Sequence, residues 1–120
     1  KITISFNPHI LPIERGLISS IYCSLEKNIT PKNVEEFLEN FYKNDFSIKI
    51  IKNKKKVSIF DVIGTNNLLI NIIKNSKNNT LVIQSYIDNL IKGASGQAVQ
   101  NFNIMHGFKE FESLIMRKFV

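Results

Sequence analysis

Apolar and polar positions alternate with a period of two early in the chain and switch to helical spacing near residue 30. Residues 2–6 alternate apolar and small polar side chains, which predicts a short strand. Asn7-Pro8-His9, Pro12 and Glu14-Arg15-Gly16 follow. The prolines keep this connection extended, and Pro8 biases Asn7 towards β or polyproline geometry. From Leu17 the period is two again. Leu17, Ser19, Ile21, Cys23 and Leu25 share one face, while Ile18, Ser20, Tyr22, Ser24 and Glu26 share the other, as in a long strand with one strongly apolar face.

Thr30-Pro31 predicts a helix start, a hydroxyl cap followed by proline at the first helical position. Val34, Phe37, Leu38 and Phe41 then form an i, i+3, i+4, i+7 stripe, with Lys32, Glu35, Glu36, Glu39 and Lys43 facing water. Such a helix should cover a sheet. Residues 46–51 and 57–63 read as strands on either side of a lysine-rich loop. Residues 68–74 and 80–87 read as a hairpin joined by the polar residues 75–79. Residues 109–119 carry Phe111, Leu114, Ile115 and Phe119, which suggests a last helical turn or two. The pattern predicts an α+β fold, with helices over one face of a mostly antiparallel sheet and the other face free to meet another subunit.

The richest stretch is 87–108, IDNLIKGASGQAVQNFNIMHGF. Asp88 and Asn89 are turn-formers. Gly93 and Gly96 bracket Ala94-Ser95, with Ser95 expected as the N-cap of a helix that Gly107 closes. Ala98, Val99, Phe102 and Met105 give an apolar stripe, and Gln97 and Asn101 project from one flank. One reading is an ordinary packing helix. Another is an anion cradle at a helix N-terminus. However, G-A-S-G is neither G-x-G-x-x-G nor a P-loop.

Composition narrows the function classes. With 43% hydrophobic residues in 120, the chain has enough for one modest core. No apolar run reaches membrane-spanning length, and no signal peptide is visible. Lys1 lies inside a strand-like run with no initiator Met, so the sequence reads as part of a longer chain. A net charge of +6 admits nucleic-acid binding, but no aromatic-interleaved basic stripe offers bases a stacking platform. The single cysteine, Cys23, alternates with Ile21 and Leu25, which predicts a small buried hydrophobe and not a nucleophile.

Two strings carry a resemblance. FNPHILPIERG at 6–16 and IDNLIKGASGQAVQN at 87–101, with Val62-Ile63-Gly64-Thr65-Asn66 between them, resemble N-acetyl-gamma-glutamyl-phosphate reductase in order and spacing. That family consists of NADP-dependent acyl-phosphate reductases of arginine biosynthesis, within the glyceraldehyde-3-phosphate dehydrogenase-like superfamily. The resemblance spans nearly the whole chain. It implies a catalytic and oligomerisation domain at 1–92. It also implies a C-terminal helix at 93–120 that returns to a nucleotide-binding domain absent from this chain. The implied reaction converts N-acetylglutamyl 5-phosphate to the semialdehyde through a thioester on a cysteine outside the chain.

By the same resemblance His9 is the catalytic acid/base and Arg15 anchors the substrate's carboxylate or phosphate. Asn101 binds the nicotinamide carboxamide of NADP, and Gly93, Gly96 and Lys92 line the same cleft. Plainer alternatives stay open: a loop histidine, a salt bridge from Arg15 to Glu14 or Asp88, and a packing role for Asn101. His106 reads as a favourable cation at a helix C-terminus. After Asn66 the family often has Phe-Cys-Asp-Ile-Gly where this chain has Asn67-Leu68-Leu69-Ile70-Asn71, which leaves the role of Gly64-Thr65-Asn66 open. The chain alone is expected to be inactive and the complete protein to be a cytoplasmic homo-oligomer, with no metal site and no nucleic-acid or membrane partner. The alternatives are a non-catalytic oligomerisation fragment of such an enzyme and a basic nucleic-acid-binding domain.

Overall fold

Thr30 begins the first helix as its sequence dictates. Its hydroxyl accepts from the Asn33 amide at 3.2 Å, and the Asn33 side chain accepts from the Thr30 amide at 2.9 Å, with Pro31 in the first turn. The computed structural model describes residues 3–51, 56–75 and 80–116. Its main elements are β1 (Leu17–Ser24), α1 (Pro31–Tyr42), β2 (Ile48–Ile51), β3 (Leu68–Asn75), β4 (Thr80–Ile87) and α2 (Gly96–Met105).

The strands form one sheet in the order β1-β4-β3-β2. The expected hairpin is β3–β4, antiparallel from Leu68↔Ile87 to Asn75↔Thr80, and β1 lies antiparallel on the other side of β4. β2 pairs parallel to β3, so the sheet is mixed. A parallel neighbour requires a crossover, and residues 56–67 belong to it. Residues 57–63 are therefore not a strand. Ser58 and Asp61 close a 3-10 turn, Ile59–Asp61, through a reciprocal cap in which the Ser58 amide donates to Asp61 at 2.8 Å. The turn drops Val62 into the core against Leu69 and Tyr86, with Ile51 and Val57 packed beside them.

α1 packs over β2 and β3 on the opposite face, the face that carries Ile70 and Leu81. Its inward stripe is Val34, Glu35 and Leu38, with Glu35 paired to Lys74 of β3. Phe37 and Phe41, expected inside, are 63% and 68% exposed and stack on one another with centroids 5.9 Å apart. Glu35 thus takes the inward place expected of an aromatic ring.

Residues 3–16 form no strand and are largely exposed, in place of the expected strand at 2–6. Residues 109–116 run as turns and irregular chain, without the expected helical turns, and 117–119 of that stretch lie outside the described residues. Residues 52–55, most of the lysine-rich loop, and 76–79, most of the hairpin loop, lie outside the described residues. The edge strand β1 leaves Ile18 and Tyr22 exposed on one face and Leu17 and Ile21 on the other. Cys23 is half-buried, opposite Leu81. No helix among the described residues is long and apolar enough to cross a membrane.

These placements predict unequal costs for truncation. Leu69, 1% exposed, should lose about 2–5 kcal/mol of stability on change to Ala. Phe41→Ser should lose under ~0.5 kcal/mol. Urea unfolding of both variants checks the difference.

Candidate functional site

The site is built around a carboxylate. Asp88 follows β4 and is fully buried. Its Oδ1 accepts from the Leu90 and Ile91 amides at 2.9 and 3.0 Å, and its Oδ2 accepts from the Gly64 amide at 2.8 Å and from Arg15 Nη1 at 3.3 Å. Burial pushes the Asp88 carboxyl up. The three amides and the Arg15 charge outweigh it and hold the group below its ordinary value of 3.8. Asp88 is thus a permanent anion in neutral solution. Next to it, Asn89 Oδ1 accepts from the Gly16 amide at 2.7 Å. Gly16 has φ +110, and a methyl there would overlap the Ile59 side chain, so no other residue fits this crossing.

Past Asp88 the chain winds into a π-helical turn, Ile91–Ser95, that runs directly into α2. The Gly93 and Ser95 amides reach back five residues to the Asp88 and Leu90 carbonyls at 3.0 and 3.1 Å. Ser95 is therefore not the expected N-cap. Its backbone is already helical, and its hydroxyl donates to the Leu90 carbonyl at 2.8 Å. The expected C-terminus holds: Gly107 has φ +72, the left-handed position that ends a helix.

The burial of α2 is inverted. Its inward residues are Gly96, Gln100 and Asn103, whereas Phe102 and Met105 are 53% and 80% exposed. Beneath it lies a polar network. Gln100 Oε1 accepts from Asn66 Nδ2 at 2.8 Å and from Lys92 Nζ at 2.7 Å, and Gln100 Nε2 donates to Glu110 at 2.6 Å. Lys92 also donates to Ser47 at 3.3 Å, whose hydroxyl donates to Asp45 at 2.9 Å. Desolvation lowers the Lys92 ammonium below its ordinary value, against the opposing charges of Asp45 and Glu110. Lys92 is thus turned inward, away from the cleft it was expected to line. Asn66 Oδ1 is buried without a hydrogen-bond partner among the described residues and lies against Gly96.

The predicted site residues divide between this framework and its surface. Arg15, 43% exposed at its side chain, joins the Asp88 cluster, the pairing left open from sequence. His9 lies on the exposed segment, its Nδ1 3.0 Å from the Asn7 carbonyl. Asn101 is exposed and accepts from Gln97 Nε2 at 2.9 Å, which leaves its own amide N–H groups to donate outward. Gly93 is exposed. Gly96 is buried and forms the seat of α2, not its surface. His106 caps α2 and packs on Phe102 with centroids 4.3 Å apart. No hydrogen bond among the described residues joins His9 or Asn101 to the Asp88 cluster. Asp88, Asn66 and Gln100 were missed as organising groups. The available signal was Gly96, Gln100 and Asn103 at spacings of four and three, a helical stripe of polar residues.

Residues 1–89 match the model of the semialdehyde dehydrogenase dimerisation-domain family. Over 114 residues the chain is 43% identical to an N-acetyl-gamma-glutamyl-phosphate reductase of Clostridium botulinum, covering 95% of this chain and 33% of that protein. It is 41% identical over 114 residues to a Thermoanaerobacter pseudethanolicus protein of the same name, with the same coverage of both chains. A third of that name, from Ehrlichia ruminantium, is 44% identical over 115 residues, covering 96% of this chain and 33% of that protein. The chain thus spans about a third of the length of these curated relatives. Among solved structures, aspartate semialdehyde dehydrogenase II from Vibrio cholerae superposes with a TM-score of 0.60 at 20% identity. That match covers 82% of this chain and 29% of that one, and it shows a shared fold.

The two glycines of the π turn and α2 should respond differently to a methyl group. At Gly96 a Cβ would press on Asn66 Oδ1 and stand 2.7 Å from Ile91 Cγ2 and 3.0 Å from the Ile91 carbonyl oxygen. At Gly93 its nearest neighbour would be Ile87 Cδ1 at 3.4 Å. Gly96→Ala should cost about 1–3 kcal/mol, and Gly93→Ala under ~0.5 kcal/mol. Thermal unfolding of the two variants decides it.

Proposed function

The chain belongs to the semialdehyde dehydrogenase dimerisation-domain family, and on that premise we propose that it is the C-terminal catalytic and oligomerisation part of an NADP-dependent N-acetyl-gamma-glutamyl-phosphate reductase. The observation that carries the reading is the Asp88 cluster. It ties the segment bearing His9 and Arg15 to the turn that launches the helix bearing Asn101. One carboxylate thereby joins Arg15, the anion-binding group of this reading, to the turn that leads into α2, while His9 and Asn101 lie on the segments to either side of that tie. The domain boundary near 92 then falls inside the π turn, so the returning helix is continuous with the Asp88 cluster.

In this reading a cysteine outside the chain attacks the acyl phosphate, phosphate leaves, and a thioester forms. His9, exposed at the surface, takes the thiol proton and later returns a proton to the hemithioacetal oxygen. Imidazole suits both steps because it exchanges protons near neutral pH. Arg15 binds the substrate's carboxylate or phosphate. Asn101 donates to the nicotinamide carboxamide, Gly93 lets the ring approach, and Gly96 seats the helix beneath them. NADPH, when bound, supplies the hydride. This chain orients the acceptor and supplies its proton.

The outward apolar stripe of α2, with Phe102 and Met105, docks in this reading on the nucleotide-binding part outside the chain. The exposed apolar residues of β1 meet a second copy, since twofold pairing is the commonest way to bury such a face. The complete protein is placed in the cytoplasm, where thiols stay reduced. Assays of the full-length protein with N-acetylglutamyl phosphate and with the aminoadipyl analogue test the activity and choose the substrate.

His9→Ala in the full-length protein should lower kcat by about a hundredfold or more, with NADPH affinity little changed. Steady-state kinetics reading a near-normal kcat would defeat the acid/base role. The isolated chain should self-associate in sedimentation, show no reductase activity and bind no NADPH measurable by calorimetry. Tight NADPH binding by the chain alone would contradict the division of labour.

A further inference from the structure

We propose that Asp88 is a positioning residue for the substrate's oxyanion: it pins one arm of the Arg15 guanidinium and leaves the remaining N–H groups to the substrate. This inference rests on the anion-binding role given to Arg15 above. Its basis is the way the carboxylate's two oxygens are occupied. Oδ1 is taken by the Leu90 and Ile91 amides at 2.9 and 3.0 Å. Oδ2 is shared between the Gly64 amide at 2.8 Å and Arg15 Nη1 at 3.3 Å.

Arginine and a carboxylate usually pair through two parallel hydrogen bonds. That arrangement is blocked here because Oδ1 already serves two amides. The three backbone contacts are also the short ones, so the backbone fixes the carboxylate and the guanidinium is the guest. Asp88 is fully buried, whereas the Arg15 side chain is 43% exposed, so the held arm points inward and the free edge meets solvent. Among the described residues that free edge makes no other hydrogen bond or ion pair. A planar donor edge held from behind matches a carboxylate or phosphate group in front of it. Holding it beforehand removes the entropy cost of ordering a long side chain at binding.

The test uses the full-length reductase. Asp88→Asn preserves the shape and the Oδ1 acceptor for Leu90 and Ile91, but places an amide NH2 against Gly64 N–H and Arg15. KM for the acyl phosphate should rise about tenfold, while kcat and the KM for NADPH stay within about twofold. In an Arg15→Leu background the same Asp88→Asn change should add nothing further, because its effect passes through the arginine. Product inhibition identifies the oxyanion: weakened inhibition by inorganic phosphate marks the phosphoryl end, and weakened inhibition by the semialdehyde product marks its carboxylate. An unchanged acyl-phosphate KM in Asp88→Asn, or full additivity with Arg15→Leu, overturns the proposal. If Arg15→Leu itself leaves KM unchanged, the anion-binding role of Arg15 fails, and this inference with it. Should Asp88→Asn not fold, the crystal structure of the wild-type enzyme with N-acetylglutamate decides. Arg15 held by Asp88 with its outer edge on the ligand supports the proposal, and Arg15 released from Asp88 refutes it.

Discussion

A carboxylate removed from water must be matched by donors or it takes up a proton. Asp88 is matched four times, by three amides and a guanidinium. Those donors come from the exposed N-terminal segment, from the buried loop after the 3-10 turn, and from the turn that starts α2. The loop is also anchored by Val62 in the core, whereas the exposed N-terminal segment meets the other two through this ion and the neighbouring Asn89–Gly16 contact.

The same preference for polar ties shapes α2. A helix normally sits with its apolar stripe inward and its amides in water. Here Gln100 and Asn103 are inside, and Phe102 and Met105 are outside. Asn103 spends its Nδ2 on the Glu110 and Glu112 carbonyls at 3.2 and 2.9 Å, and Gln100 is bonded three ways. Directional contacts of this kind fix an azimuth, which a greasy stripe does not, because satisfied polar networks tolerate little sliding. The outer apolar stripe stays exposed. Beneath the helix, Gly96 sits so close to Asn66 Oδ1 that even a methyl group would not fit between them.

What could be read from the sequence follows from which forces are local. The Thr30 cap, the β3–β4 hairpin and the Gly107 stop are each decided within a few residues, and each is where the sequence put it. Residues 57–63 misled because their apolar spacing suits a strand, while Ser58 and Asp61 prefer to cap one another. Phe37 and Phe41 misled because helical spacing puts them on one stripe with Val34 and Leu38, whereas the face turned to the sheet carries Val34, Glu35 and Leu38. At the site, Arg15 beside Asp88 could be foreseen as one of several pairings. The fourfold use of Asp88 could not, since it also draws in the Gly64 amide, 24 positions away on a loop whose path no local pattern reveals. Gln97 and Asn101 met as their spacing required. Lys92 looked like a cleft residue and is a half-buried strut, because its direction depends on the phase of the helical turn that carries it.

That phase has its own origin. The π turn at Ile91–Ser95 contains one residue more than an α-helical path between the same points. Each residue advances a helix by about 100°, so a single extra position rotates everything downstream by more than a quarter turn. Removing it would carry the Gln100 stripe round the helix and bring a different set of side chains to face Asn66. The inside-out character of α2 is thus written less in the composition of the helix than in the length of its lead-in. In this chain, a one-residue change of count decides which surface of the helix is turned outward.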